Sequence, residues 1–263
     1  MYRKPLILAV IAVIMLAIVP AAQAITFGQP DGDNHPNVGA MIVLEPDGVK
    51  YLYCSGTLIA PEVFLTAAHC TAAAAAYGAA PNDVFVTFDP VWNESATLHR
   101  GTYYLNPNYG HDMHDLNDVA VIILDEPIEN IEPATLPPAG LLTDMKMDKE
   151  LKGQQFVTVG YGTLRDDKTG GPHALGDYGE RYFAEQTFLA LKPYWLEISM
   201  NPSTGSGGTC YGDSGGPHFL GNSDMVVSLT VTGDAWCRAT DVTYRLDTDS
   251  ARSYLSQFMA LPQ

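Results

Sequence analysis

Short apolar runs alternate with turn residues along most of the chain. Met41–Leu44, Thr57–Ala60, Val63–Thr66, Val84–Phe88, Val119–Leu124, Phe156–Tyr161, Trp195–Ser199 and Met225–Thr232 are separated by clusters of Gly, Pro, Asn and Asp. Runs of this length with turn signals between them predict strands, and their recurrence predicts an all-β sandwich or barrel. Helical spacing is confined to short stretches. Tyr254, Leu255, Phe258 and Met259 share one face of a predicted helix over Ser250–Met259, with Thr248 or Asp249 as its cap. Thr71–Ala76 predicts a helical turn. Leu164–Glu180, which contains Gly170-Gly171-Pro172, reads as an exposed loop, and there is no internal repeat.

The first 24 residues break this pattern. Arg3 and Lys4 precede an uninterrupted apolar run from Leu6 to Val19, and Ala22-Gln23-Ala24 follows. A positive start, a short apolar core and a small-x-small site read as a secretory signal peptide over residues 1–24. A retained anchor is the alternative, but the run is shorter than the ~20 residues a spanning helix needs. Export places the four cysteines, Cys54, Cys70, Cys210 and Cys237, in an oxidising compartment where disulfides form. Four cysteines allow three pairings.

Composition narrows the partners. The 263 residues are 46% hydrophobic, ample for a large core or two packed barrels. The formal charge is −16, and residues 1–24 hold only the two basic residues, so the remainder is more acidic still. Nucleic acid is excluded as an expected partner, because its affinity comes largely from basic patches. No membrane association is expected after signal removal, and a monomer is expected.

The chemistry sits in Gly208-Thr209-Cys210-Tyr211-Gly212-Asp213-Ser214-Gly215-Gly216-Pro217. A serine hydroxyl is a poor nucleophile near neutral pH and needs an adjacent base. Of seven histidines, His69 has the suitable setting, where the apolar Phe64-Leu65 leads through Thr66-Ala67-Ala68 to His69-Cys70. Asp118 heads the apolar run Val119–Leu124 and is therefore a candidate buried carboxylate, which needs a partner such as an imidazole N–H. Gly212-Asp213-Ser214-Gly215-Gly216 also fits the G-x-S-x-G elbow of α/β-hydrolases. That fold places acid and histidine after the serine, and only His218 follows Ser214, too close to return as its base.

Thr66-Ala67-Ala68-His69-Cys70, Asn117-Asp118-Val119-Ala120 and Gly212-Asp213-Ser214-Gly215-Gly216-Pro217, in the order His, Asp, Ser, closely resemble the chymotrypsin-like (trypsin-like) serine proteases of the bacterial secreted type. Asn106-Pro107-Asn108-Tyr109, Val159-Gly160-Tyr161-Gly162 and Tyr244-Arg245-Leu246 extend the likeness over nearly the whole chain after residue 24. The resemblance implies two six-stranded antiparallel β-barrels, over residues 25–140 and 141–263, with a short C-terminal helix. It implies catalysis by His69, Asp118 and Ser214, an oxyanion hole from the amides of Gly212 and Ser214, and the disulfides Cys54–Cys70 and Cys210–Cys237. It implies polypeptide substrates and no cofactor.

The resemblance also implies that cleavage after Ala24 exposes an Ile25 ammonium that pairs with Asp213. The position six before the nucleophile, acidic in members that prefer Lys or Arg, is Gly208 here. Asp241 on a second pocket wall, or Asp234 in the altered wall segment Val231-Thr232-Gly233-Asp234, would restore such a preference, or each is a surface acid. His111-Asp112-Met113-His114-Asp115 matches no recognised metal spacing, and no metal is expected. A catalytically silent binding module, or an esterase on the same site, is the competing reading of function.

Overall fold

The computed structural model describes residues 25–165 and 178–263; the expected signal peptide, and most of the expected 164–180 loop, lie outside them. Thirteen named strands fill the described residues: β1 Gln29–Pro30, β2 Val38–Leu44, β3 Lys50–Ala60, β4 Val63–Thr66, β5 Val84–Thr87, β6 His99–Tyr104, β7 Ala120–Leu124, β8 Gln155–Gly160, β9 Tyr182–Leu191, β10 Trp195–Ser199, β11 Pro217–Leu220, β12 Val226–Gly233 and β13 Thr240–Arg245.

They make two closed antiparallel barrels. The first runs β2-β3-β4-β7-β6-β5, closing where β2 pairs with β5, Met41 opposite Val86. The second runs β9-β10-β13-β12-β11-β8 and closes through β8–β9, Thr158 opposite Ala184. The strands form where the apolar runs predicted them, because each run supplies the inward face of a barrel: Val38, Ala40, Met41, Ile42, Val43, Phe64, Leu65, Val121 and Ile122 are fully buried in the first. Closure leaves a six-stranded sheet no edge to protect.

The N-terminal segment does not join the first barrel. β1 pairs with β9 of the second, Gln29 opposite Phe183, and Thr26 bridges to Gly208. A buried ion pair locks it there. Arg181, 1% exposed, donates from Nε to Asp31 Oδ2 at 2.9 Å and from Nη1 to the carbonyls of Val38 and Phe88 in the first barrel. One guanidinium thus ties the N-terminal segment to both barrels. Removing it leaves the buried Asp31 with only the amide and ring of the half-buried His35 as partners, so Arg181→Met is expected to destabilise the fold by up to about 3–5 kcal/mol in urea titration. Combining it with Asp31→Asn should recover much of that loss, and equal losses in the single and double variants would contradict the pairing.

Among the described residues there are three short α-helices: α1 Ala68–Ala76, α2 Leu141–Met147 and α3 Asp249–Leu255. α1 begins earlier than the sequence pattern suggested and carries His69 in its first turn. α3 is capped by Thr248, whose side chain accepts from the Ala251 amide, and it ends four residues before the expected Met259. α2 had no clear helical signal in the sequence. Its N-cap is Gly140 in a left-handed conformation, and Asp247 from the far end of the second barrel accepts from the Leu142 amide at 2.9 Å. A helix held by a residue 105 positions away leaves no local pattern to read.

Candidate active site

His69 is placed by β4 and the tight connection to α1. β4 is fully buried and pairs with β7, Thr66 opposite Ala120, so the end of β4 lies beside the start of β7. That register brings Asp118, two residues before β7, under His69. The carboxylate is 1% exposed and holds the histidine twice: Oδ1 accepts from the His69 amide and Oδ2 faces His69 Nδ1, both at 2.8 Å. Asn117, with φ at +53°, makes the turn into Asp118, and its amide donates to Asp115 Oδ1. With Nδ1 engaged, the remaining ring nitrogen, Nε2, is the one left for a hydroxyl proton.

Ser214 arrives from the second barrel. Its carbonyl accepts from the Ser55 amide at 2.9 Å and lies 3.8 Å from Cys70 Sγ, next in sequence to His69. The Cys54–Cys70 disulfide closes beneath the histidine, and Cys210–Cys237 joins the nucleophile segment to the wall after β12. Both pairings are those the resemblance implied.

Gly212 has φ at +98°, a left-handed conformation that side-chain-bearing residues rarely adopt. Ser55 Oγ donates to its carbonyl at 3.1 Å and accepts from the Tyr161 amide at 2.9 Å. One hydroxyl of the first barrel therefore braces the turn at Gly212 that leads into Ser214. The sequence reading missed Ser55; its only local signal is a small hydroxyl next to Cys54, and Thr57 in the same strand offers the same one.

Asp213 is fully buried, and its two oxygens accept from the amides of Gly162 and Cys210, each at 2.8 Å. Ile25 is also fully buried, packed with Tyr182, Ala184 and Leu164. Its φ is +46°, in the left-handed region that costs a β-branched residue on the order of 1–3 kcal/mol.

A cavity of about 250 Å³ opens beside Ser214, bounded by Thr209, Cys210, Tyr211, Val231, Gly233 and Asp234. Asp234 sits at its rim. Burial pushes its carboxyl up, but four backbone N–H bonds, from Ala239, Arg238, Thr240 and Trp236, outweigh burial and hold it below the usual range. Asp241 lies behind the wall, fully buried, and Gly208 projects no side chain. Among the described residues, the group whose ligand atoms lie close enough for a metal is Cys54, His69 and Cys70, and both sulfurs belong to a disulfide. His111 and His114 are not gathered into any such group; Asp112 instead accepts from the His114 amide.

Residues 30–248 match the family model described as Trypsin. The chain belongs to the trypsin family. It is 28% identical over 213 residues to a trypsin of Saccharopolyspora erythraea, covering 78% of this chain and 84% of that one. It is 31% identical over 209 residues to a brachyurin of Leptuca pugilator, covering 74% and 85%. Among solved structures it resembles HL collagenase, with a TM-score of 0.63, 18% identity and coverage of 90% and 96%. It also resembles the scabies mite inactivated protease paralogue S-I1, with a TM-score of 0.61, 18% identity and coverage of 88% and 98%. Those two likenesses are of fold. Membership makes this trypsin-family chain a serine endopeptidase acting on polypeptides.

In the uncut trypsin-family chain, burial pushes the Asp213 carboxyl up to about 7; its two amide bonds oppose that, and the Asp241 charge adds to it. A carboxyl raised from its ordinary value binds a proton in the folded state that it has lost in the unfolded state. Its contribution to stability is therefore present near pH 4 and lost as pH rises to about 7, by on the order of 4 kcal/mol. Urea titration of an inactive uncut chain, with and without Asp213→Asn, should show the difference between the two shrinking or reversing over that window. A difference independent of pH would contradict the burial of an ionisable Asp213.

Proposed function

We propose that the chain is an exported endopeptidase that cleaves by acyl transfer to Ser214. His69 takes the Ser214 proton as the hydroxyl attacks a peptide carbonyl, then returns it to the leaving amine. Asp118 keeps His69 in the tautomer with Nδ1 protonated and stabilises the imidazolium. The amides of Gly212 and Ser214 receive the developing oxyanion, a role worth about 2.7–4 kcal/mol per donor in other hydrolases. Water then releases the acyl group by the same proton transfers. The observation that carries this reading is the double hold of Asp118 on His69, at 2.8 Å through amide and ring alike.

The two disulfides, with the signal-like start, support export to an oxidising compartment; the reading has the processed chain acting as a monomer, free of the membrane. The Ile25 ammonium released by cleavage after Ala24 would pair with Asp213. A preference for Lys or Arg before the cut would have to come from Asp241 or Asp234. The first is bonded to His218, Thr209 and Gln186 and the second to four amides, so neither supports it strongly. A phosphonylating serine probe tests the central claim: it should label the processed chain stoichiometrically and leave Ser214→Ala and His69→Ala unlabelled. Equal labelling of Ser214→Ala would place the nucleophile elsewhere.

A further inference from the structure

Asp118 is reached through a short turn, and that turn is held from the other barrel. Asp115 is buried, and its Oδ1 accepts from the Asn117 amide at 3.2 Å and from the Tyr244 hydroxyl at 2.7 Å. Asn117 Nδ2 returns a bond to the Asp115 carbonyl at 3.0 Å, and the Asn117 backbone is left-handed, with φ at +53°. The next residue is Asp118, whose two oxygens hold the amide and the ring of His69. The acyl-transfer chemistry itself uses neither Asp115 nor Tyr244.

The turn needs an outside hold. Residues 110–114 are all exposed, so the chain comes out of solvent, and Asp115 is the nearest buried residue upstream of Asp118. On the downstream side Asp118 runs into β7, whose register against β4 is fixed. On the upstream side its geometry rests on how firmly Asp115 is anchored. The start of this segment is tied to the C-terminal helix as well: Tyr254 in α3 donates its hydroxyl to the carbonyl of Tyr104, the last residue of β6.

Tyr244 is suited to be that anchor. It is fully buried in β13, with its ring edge-on to Trp195 at 5.6 Å between centroids. Its oxygen also lies 3.1 Å from Ser250 Oγ in α3. Burial pushes the hydroxyl well above the usual tyrosine range, so it keeps its proton wherever an imidazole base works, and it remains a donor to Asp115. A buried carboxyl oxygen that loses such a donor has no water to replace it, so the bond is costly to leave unmade.

We infer that Tyr244 is a positioning residue for the catalytic acid: by donating to Asp115 it fixes the Asp115–Asn117 turn from the second barrel, and so keeps the Asp118 carboxylate aligned with both N–H groups of His69. This rests on the acyl-transfer reading above. Tyr244 and Asp115 act through Asp118, and neither lines the cavity beside Ser214. They therefore bear on the chemical step and not on substrate binding.

The test compares processed wild type, Tyr244→Phe, Asp115→Ala and Asp115→Asn on one peptide substrate, with active sites counted by the phosphonylating probe. Phenylalanine removes the hydroxyl and keeps the ring against Trp195. Tyr244→Phe and Asp115→Ala should each lower kcat by about tenfold or more with KM within about twofold, the pattern of a misplaced catalytic group. Asparagine keeps an oxygen for both donors, so Asp115→Asn should recover most of what alanine loses. The low-field proton NMR signal of His69 Nδ1–H against Asp118 should shift or broaden in Tyr244→Phe and Asp115→Ala and persist in Asp115→Asn, which a loss of stability alone would not produce. Should Tyr244→Phe fail to fold, the two Asp115 variants decide. Full kcat in Tyr244→Phe, or equal losses in Asp115→Ala and Asp115→Asn, would overturn the inference. A wild type that the probe does not label would instead overturn the acyl-transfer reading, and this one with it.

Discussion

Replacing Ser214 with alanine is expected to lower kcat by about 10⁶-fold while KM changes little, the scale on which removal of a triad nucleophile acts in other serine proteases. The serine makes the covalent bond, whereas the cavity that binds the side chain is built mostly from Thr209, Tyr211, Val231 and Gly233 and survives the change. Asp118→Asn should cost about 10⁴-fold through a different route. Asp118 accepts from two N–H groups of the same residue, the His69 amide and its ring nitrogen. An asparagine has one oxygen, so one of the two N–H groups would face an NH₂, and the ring would turn over to the tautomer that offers Nε2–H to the serine. Steady-state kinetics with one good peptide substrate measures both. A loss of less than about tenfold in Ser214→Ala would remove the basis of the mechanism.

A processed chain that keeps even one residue before Ile25 is expected to be about 10²- to 10⁴-fold less active than one beginning at Ile25. The range follows from an unpaired buried partner, worth about 3–5 kcal/mol, read as a rate. In the uncut chain Asp213 leans on the amides of Gly162 and Cys210, and Cys210 belongs to the same loop as the oxyanion donors. A cationic terminus would compete for that carboxylate and reset the loop, and it would release the left-handed strain at Ile25. Asp213→Asn should match the extended chain in inactivity, because an amide cannot neutralise the ammonium. The comparison is made at equal protein concentration, with the N-terminus verified by mass. Full activity of the extended chain would show that the loop orders without the new terminus.

What could be read along the chain was what covalent neighbours decide. His69-Cys70, Asp118 before its apolar run, and Ser214 among glycines each advertise a local requirement: a tight turn, a buried acid, a backbone conformation that excludes side chains. The strands were legible for the same reason, since period and turn residues are local. The brace of Ser55 across the barrels was not, because it depends on Gly212 and Tyr161, 157 and 106 residues away. Tyr244 is a parallel case: its hydroxyl donates at 2.7 Å to Asp115, just upstream of Asp118, from 129 residues away. His218 was visible in the sequence only as a histidine too near the serine to serve as its base, and its partner Asp241 only as one of two possible pocket acids.

The amino-acid sequence by itself determined the strand-rich fold class, the order of base, acid and nucleophile, and the residues whose backbone must bend. Pairing register and closure decided the rest. They set Asp118 under His69, brought the Ser214 carbonyl against Ser55 of the first barrel and sank Asp241 against an imidazole. A carboxylate's charge, reach and partner depend on what surrounds it in three dimensions, and those surroundings come from segments that only the folded barrels bring together.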